Sequence, residues 1–188
     1  MKKTISHSLG VALYAVRVLG DYPECPQDNM LFMAGLLHDI GKVYIPTAIL
    51  NKKDKLTEEE FRIIRMHPLM GAEMLNEMNY IYDIVEAVLH HHERWDGKGY
   101  PFGLKGQEIP LYSRILSVAD AFDAMISDRP YKKAIPRNLA LAELKANAGT
   151  QFDPYIIESF VGKVQPELSL STDVCSYKEE VNWAQTTR

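Results

Sequence analysis

Apolar residues recur along most of the chain at intervals of three and four, which is the spacing of one face of an α-helix. Alternating patterns typical of strands are hardly visible. The sequence therefore predicts an all-α fold, a single bundle of about seven helices. The predicted helices lie at residues 4–20, 28–40, 81–93, 111–127, 136–148 and 154–164, with further ones beginning near Thr57 and Pro68.

Local signals indicate where several of these helices begin and where the chain must turn. Thr57 followed by Glu60 is typical of a capping box, and Pro68 can start a new helix or kink one. Residues 94–110 contain four glycines and two prolines, so they predict a structured loop. The chain of 188 residues has the length of one domain. We expect that domain at residues 1–168, followed by a polar tail at 169–188.

Composition narrows the classes of function. The apolar fraction of 46% and the charged fraction of 24% are those of an ordinary globular protein, and the net charge is −4. This balance disfavours non-specific binding to DNA or RNA. Cys25 and Cys175 belong to no paired motif, and the chain has no apolar run that could span a membrane. We expect reduced cysteines and a cytoplasmic location, with any phosphate-bearing substrate attracted by a local positive site such as metal ions.

All six histidines occur before residue 93. His38 and His92 each follow apolar residues at helical spacing, which predicts that both face the core. A buried imidazole needs partners for both nitrogens. For one such histidine alone, a hydrogen-bonded core residue is the better interpretation than a metal ligand.

The neighbours of these histidines favour a metal site. His38 is followed directly by Asp39, and His91 by His92. Adjacent helical residues diverge too far to hold one ion together, but they can reach different sides of a two-metal cluster, with the carboxylate bridging. Imidazole and carboxylate ligands without a thiolate are typical of Fe, Mn or Zn sites. Two such metals can bind a phosphoryl oxygen and activate water.

Three motifs then make a family resemblance specific. The segments are HDIGK from His38, MHP with His67, and HHERWDGKGYP from His91 to Pro101. Together they resemble the HD-GYP family, a branch of the HD-domain metal-dependent phosphohydrolases, and the similarity spans roughly residues 5–162. The resemblance implies a bacterial phosphodiesterase that hydrolyses cyclic di-GMP to pGpG through a two-metal-activated hydroxide, with further cleavage to GMP left open.

The resemblance also implies roles for individual residues. Asp39 would bridge two divalent ions, Fe(II) or Mn(II), and Lys42 would assist at the phosphate. Gly99, Tyr100 and Pro101 would shape the substrate pocket, and His90 would lie on the helix exterior. The implied metal ligands are His7, His38, Asp39, His67, His91, His92 and Asp120.

Two departures from the family affect what we expect. Some members place a glutamate, which serves a third metal, where this chain has Lys3. Because a protonated lysine cannot coordinate a metal, we expect two metals per chain. HD-GYP domains also usually follow a sensor or receiver domain, so the chain is either a stand-alone output domain or a fragment of a longer protein that acts with signalling partners.

Three hypotheses for the function remain at this point. The first is cyclic di-GMP hydrolysis, and the second is hydrolysis of another cyclic dinucleotide such as cyclic GMP-AMP, or of a nucleotide phosphate. The third is a catalytically silent module that binds a cyclic dinucleotide. In the first two, we expect Arg129 to hydrogen-bond a guanine edge or a phosphate, with Lys132 as a point charge near the second phosphate and Tyr100 on the opposite wall. The alternative is that the segment with Arg129 and Lys132 is a solvated turn whose charges do not bind the substrate.

Overall fold

The predicted all-α architecture is confirmed. The computed structural model describes residues 2–19, 28–128 and 133–164, except for the side chains of residues 2–5 and 28, and these residues contain no named strand. They form nine α-helices rather than about seven, because a single turn at α3 adds one and a break at Arg65 and Met66 separates two others. The helices are α1 (Lys2–Leu19), α2 (Asp28–Leu37), α3 (Thr47–Leu50), α4 (Glu58–Ile64), α5 (His67–Glu77), α6 (Tyr82–His90), α7 (Leu111–Ile126), α8 (Arg137–Ala146) and α9 (Pro154–Val164).

The bundle is organised around α1, α2, α6 and α7. Helix α1 packs against α2 and α7, and α6 packs against α2, α5 and α7. Their apolar stripes bury a continuous core that α8 and α9 extend from the α7 side. Leu31, Val88, Phe122 and Phe160 are fully buried in it. Burial of this apolar surface is the main stabilising term for such a bundle.

Helices α2 and α6 each end three residues earlier than the sequence predicts, and both ends matter for the site. The second helix ends at Leu37 rather than at residue 40, and a 3-10 helix follows at Ile40–Tyr44. Helix α6 ends at His90 rather than at residue 93, where a turn closed by the Glu93 amide and the His90 carbonyl replaces it. His38 and Asp39 therefore lie in the turn directly after α2, and His91 and His92 lie in the turn directly after α6.

Close packing at Gly41 places the first of these turns against α5. A Cβ atom added at Gly41 would lie 1.9 Å from the carbonyl oxygen of His67, so only glycine fits there. Other local predictions are also confirmed. Thr57 and Glu60 form the capping box of α4, and α5 has Pro68 in its first turn.

The loop at 94–110 is ordered by backbone contacts with the connection between α8 and α9. The amides of Trp95 and Asp96 donate to the carbonyls of Gln151 and Thr150 at 3.1 and 2.8 Å. Gly97 has a φ of 78°, a conformation that L side chains rarely adopt, and a second 3-10 helix occupies Gly106–Glu108. The predicted structured loop is confirmed.

Several predictions fall on residues outside this description. Arg129, Lys132, both cysteines, the Lys3 side chain and the tail at 169–188 belong to this group. The division into a domain and a tail therefore stays a prediction. Among the residues that are described, no helix is long and apolar enough to cross a membrane.

Replacing Phe122 by alanine tests the core. Phe122 is fully buried and its ring meets those of Tyr14 and Phe160 edge-on, at centroid distances of 5.0 and 5.1 Å. Because the change removes most of a buried aromatic side chain, it should lower the free energy of unfolding by about 3–5 kcal/mol in urea denaturation. Tyr155→Ala is the control, since that side chain is 70% exposed. Equal losses in the two variants would contradict this packing.

Candidate metal centre

Five helices and two turns bring the predicted ligands together. His7 comes from α1, Asp120 from α7 and His67 from the start of α5, and the other four follow α2 and α6. Two groups result, in which the ligand atoms lie within 4.8 Å of one another. The first contains Asp39, His67, His91 and His92, and the second contains His7, His38 and Asp120.

Three histidines are oriented in the same way, by the backbone carbonyl three residues earlier. The Nδ1 atoms of His38, His67 and His91 lie 2.7, 2.8 and 2.6 Å from the carbonyl oxygens of residues 35, 64 and 88. A carbonyl can only accept, so each Nδ1 carries the proton and donates it. When these rings are neutral, each Nε2 therefore presents a lone pair to the centre, which is the usual arrangement around a metal.

The carbonyls used in this way belong to the last turns of α2, α4 and α6. The C-terminal end of a helix carries a partial negative charge, which favours a nearby cation. The backbone thus contributes to the electrostatics of the site as well as to its geometry.

Asp39 lies between the two groups. Its Oδ1 is 3.3 Å from Nε2 of His67, and its Oδ2 is 3.4 Å from Nε2 of His38 and 2.5 Å from Nζ of Lys42. Within the described part of the chain, Oδ1 of Asp39 and Nε2 of His38 are buried and make no hydrogen bond. Such groups are costly unless something pairs with them. Their position among five imidazole rings fits divalent cations.

His7 joins the second group with two carboxylates on α7. Its Nε2 lies 3.1 Å from Oδ1 of Asp120, and its Nδ1 lies 2.6 Å from Oδ2 of Asp123. Asp123 lies three residues after Asp120 in α7, and the sequence analysis assigned it no role. The structure places Asp123 behind His7, where a carboxylate fixes the orientation of a metal-binding imidazole.

The protonation states follow from these contacts. Burial and the neighbouring ring of His92 hold the pKa of His91 well below its usual value, and burial lowers the pKa of His92 to about 4. Burial alone would raise the pKa of Asp39, but His38 beside it holds that pKa well below the usual range. Neutral imidazoles beside an ionised carboxylate are the forms that bind a cation.

His7 and His38 differ because carboxylates face them directly. Burial would lower the pKa of His7, but its hydrogen bonds to Asp120 and Asp123 raise it to about 9. The charge of Asp39 outweighs burial in the same way and raises the pKa of His38. The protons on these two imidazole rings thus balance the negative charge of carboxylates that a divalent cation could balance instead.

The Gly-Tyr-Pro loop covers one side of the centre. The ring of Tyr100 stacks on His92 at a centroid distance of 4.8 Å and an angle of 27°. Gly99 packs so closely that an added Cβ would lie 2.4 Å from the Arg94 amide nitrogen, and Pro101 follows at the half-buried edge. Burial raises the pKa of Tyr100 above its usual value, and Asp39 adds to this while Arg65 opposes it. Tyr100 is therefore a neutral donor close to the centre.

Glu93 holds this loop, a role that the sequence did not indicate. Its buried carboxylate accepts hydrogen bonds from the backbone amides of Phe102, Gly103 and Leu104 at 2.7, 3.1 and 3.1 Å. Since Glu93 directly follows His91 and His92, the same turn orients two imidazoles and the loop. The one signal in the sequence is that Glu93 directly follows His91 and His92 in the segment HHERWDGKGYP.

The prediction that His90 lies on the helix exterior is wrong. Its side chain is buried, with Nε2 3.5 Å from Glu86 and the ring 5.5 Å from that of Phe102. The loop at 94–110 folds over this face of α6, which periodicity within the helix cannot show. Burial lowers the pKa of His90, and His90 contributes no atom to either group of ligands in the described residues.

Comparisons with known proteins agree with this geometry. The family model for the HD domain matches residues 2–156. The chain is 47% identical over 142 residues to the cyclic di-GMP phosphodiesterase response regulator RpfG of Xanthomonas campestris, covering 74% of this chain and 38% of that protein. It is 46% identical over 149 residues to a cyclic di-GMP phosphodiesterase of Thermotoga maritima, covering 78% and 39%. The chain belongs to the HD-domain family, in its HD-GYP branch.

Another relative of this HD-GYP domain carries a different substrate in its name. The 3'3'-cGAMP-specific phosphodiesterase 3 of Vibrio cholerae is 39% identical over 152 residues, covering 80% of this chain and 33% of the relative. The chain thus spans between a third and two fifths of the length of these three relatives.

Solved structures support the fold of the HD-GYP domain. Bd1817, an HDG"Y"P protein of Bdellovibrio bacteriovorus, matches with a TM-score of 0.70 at 19% identity, over 86% of this chain and 52% of that one. The HD domain of phosphodiesterase PgpH of L. monocytogenes, in complex with cyclic di-AMP, matches with a TM-score of 0.62 at 19% identity, over 98% and 93%. At this identity the likeness shows the fold alone.

Replacing Asp123 by asparagine tests its role behind His7. The amide keeps the shape of the carboxylate but removes its charge, so His7 becomes a weaker ligand. We expect about 10- to 100-fold weaker metal binding in chelator competition. Glu73→Gln, on the exposed side of α5, is the matched control. Unchanged metal affinity in the Asp123 variant would show that the contact is only structural.

Replacing Glu93 by glutamine tests the loop attachment. Glutamine offers one acceptor oxygen where the carboxylate uses two, so the amides of residues 102–104 should exchange with solvent faster. Hydrogen exchange resolved by NMR measures this directly. Glu108→Gln is the control, because Glu108 accepts from the Lys105 amide in the same loop. Exchange that accelerates equally over the whole protein would indicate global destabilisation instead.

Proposed function

We propose that this HD-GYP domain is a phosphodiesterase that hydrolyses cyclic di-GMP to pGpG with two bound divalent metal ions. The position of Asp39 carries the proposal, since its two carboxylate oxygens face histidines of different ligand groups. Curated relatives at 46–47% identity are named cyclic di-GMP phosphodiesterases, which supports the substrate class.

The proposed ligands fall into the two groups already described, with Asp39 shared. Imidazole and carboxylate donors favour Fe(II) or Mn(II). Such ions, when bound, supply Lewis acidity to the phosphodiester and allow water to ionise near neutral pH. Hydrolysis then forms a P–O bond to the water oxygen and breaks the bond from phosphorus to a ribose 3′ oxygen, which leaves a linear dinucleotide with a 5′ phosphate.

Protein side chains would bind and orient the substrate. Lys42 is held by Asp39 and is partly exposed, so its ammonium can donate to a phosphate oxygen beside the centre. Tyr100, neutral and half-buried, would form the opposite wall with Gly99 and Pro101. Arg129 and Lys132 remain proposed contacts to the substrate that lie outside the described residues.

A second candidate substrate is cyclic GMP-AMP. The relative from Vibrio cholerae whose name specifies 3'3'-cGAMP is 39% identical over 80% of this chain, which is close to the identity of the cyclic di-GMP enzymes. The proposed chemistry is the same for both ring dinucleotides. We also propose that the chain acts in the cytoplasm, within a signalling protein or with signalling partners, and without binding DNA or RNA.

Hydrolysis by the full chain tests the proposal. Protein purified without oxygen and loaded with Fe(II) or Mn(II) should contain two metal ions per chain and convert cyclic di-GMP to pGpG. Asp39→Ala should abolish turnover and lower the metal content, because it removes the charge shared by both ligand groups. Chromatography of the products and elemental analysis measure the two outcomes.

Asp54→Ala is the control, since Asp54 is an exposed acid outside the centre. A metal content near three per chain would contradict the two-metal assignment. Fully metallated protein that binds cyclic di-GMP without cleaving any cyclic dinucleotide would establish a silent binding module instead.

A further inference from the structure

We infer that Arg65 binds the non-reacting phosphate of the cyclic dinucleotide, an inference that rests on the proposed function. Arg65 directly follows α4 and precedes His67 by two residues, so it lies at the edge of the metal centre. The sequence analysis assigned it no role. Three features of its surroundings support a ligand contact.

The first feature is its position over Tyr100. The Arg65 guanidinium carbon lies 5.4 Å from the centroid of the Tyr100 ring, and that ring stacks on His92 at 4.8 Å. The Tyr100 ring therefore lies near both the guanidinium and a proposed metal ligand. A substrate that reaches from the centre across Tyr100 would meet Arg65.

The second feature is the way in which Arg65 is held. Its guanidinium carbon also lies 4.6 Å from the ring centroid of Phe61, one helical turn earlier in α4. Two aromatic rings near the guanidinium attract the cation and restrict the side chain without using its N–H donors in ion pairs. The side chain thus loses less freedom when it binds a ligand than an unrestrained arginine would.

The third feature is its charge. No carboxylate in the described residues lies within ion-pair distance of Arg65, whereas Lys42 is paired with Asp39. Arg65 is exposed and keeps its hydrogen-bond donors for a ligand. A guanidinium pairs with two oxygens of a phosphate at once, and this matches a substrate that carries a second phosphodiester beyond the reacting one.

A cyclic di-GMP molecule offers Arg65 another acceptor, the O6 and N7 edge of guanine. The charge of the site favours phosphate. The net charge of the chain is −4 and the proposed metal ions lie at the reacting phosphate, so the second phosphate of the substrate needs a cation of its own. Arg65 supplies that cation within the described part of the chain.

Steady-state kinetics of the full, Mn(II)-loaded chain test the inference. Arg65→Gln should raise the KM for cyclic di-GMP about tenfold, the value of one charge-assisted hydrogen bond, and should change kcat much less. Arg65→Lys, which keeps the charge but not the fork, should fall between wild type and Arg65→Gln. Arg62→Gln, which changes an exposed arginine in the last turn of α4, is the matched control and should behave as wild type.

Two further ligands separate the contacts. Bis(p-nitrophenyl) phosphate has one phosphodiester and no second phosphate, so Arg65→Gln should affect its KM far less than that of cyclic di-GMP. Cyclic di-AMP, used as an inhibitor, keeps both phosphates and lacks the guanine edge. Its inhibition constant should rise by the same factor as the KM for cyclic di-GMP if Arg65 binds phosphate.

The outcomes that overturn the inference are distinct. An unchanged KM for cyclic di-GMP, an equal effect on the model diester, or an unchanged inhibition constant for cyclic di-AMP would each exclude the phosphate contact. If the wild-type chain cleaves no cyclic dinucleotide, the proposed function fails by itself. Calorimetric binding of cyclic di-GMP then decides: a Kd about tenfold weaker in Arg65→Gln supports the contact, and equal or absent binding excludes it.

Discussion

The centre depends on hydrogen bonds from three histidine Nδ1 atoms to backbone carbonyls. Because His38, His67 and His91 each use the carbonyl three residues earlier, the turn that ends one helix also fixes the tautomer and direction of the ring. The packing of α2, α5 and α6 then sets the separation of the rings. Helix packing and ligand geometry are therefore not independent in this fold.

Charge is balanced over the whole cluster rather than pair by pair. The partly buried acids Asp39 and Asp120 keep pKa values below their usual range, and His7 and His38 have raised values beside them. Metal binding should release protons from these histidines, since a ring cannot hold a proton and a metal on the same nitrogen. The neutral His91 and His92 each already offer an unprotonated nitrogen, so metal binding need not release a proton from them.

The sequence predicted the helical class, the capping box at Thr57 and the residues that meet at the centre, because each of these follows from local patterns or a specific motif. It could not predict the role of Asp123 or Glu93. The partner of Asp123 is His7, which lies 116 residues away in α1. The partners of Glu93 are backbone amides nine to eleven residues later, in an irregular loop. The error at His90 has the same cause, since periodicity describes the face of an isolated helix and not what later folds over it. The early end of α6 was missed because all of His90 to Glu93 is compatible with a helix by pattern alone.

The attachment of the Gly-Tyr-Pro loop to the connection between α8 and α9 has a consequence for local unfolding. The amides of Trp95 and Asp96 find their acceptors in residues 150 and 151, and Arg114 of α7 pairs with Asp153 at 2.6 Å. These contacts close chain segments of dozens of residues, which carries an entropic cost that only the docked C-terminal helices offset. The two groups of ligands, by contrast, use residues no later than Asp120. Local unfolding of α8 and α9 would therefore remove the acceptors of Trp95 and Asp96 and loosen the Gly-Tyr-Pro loop.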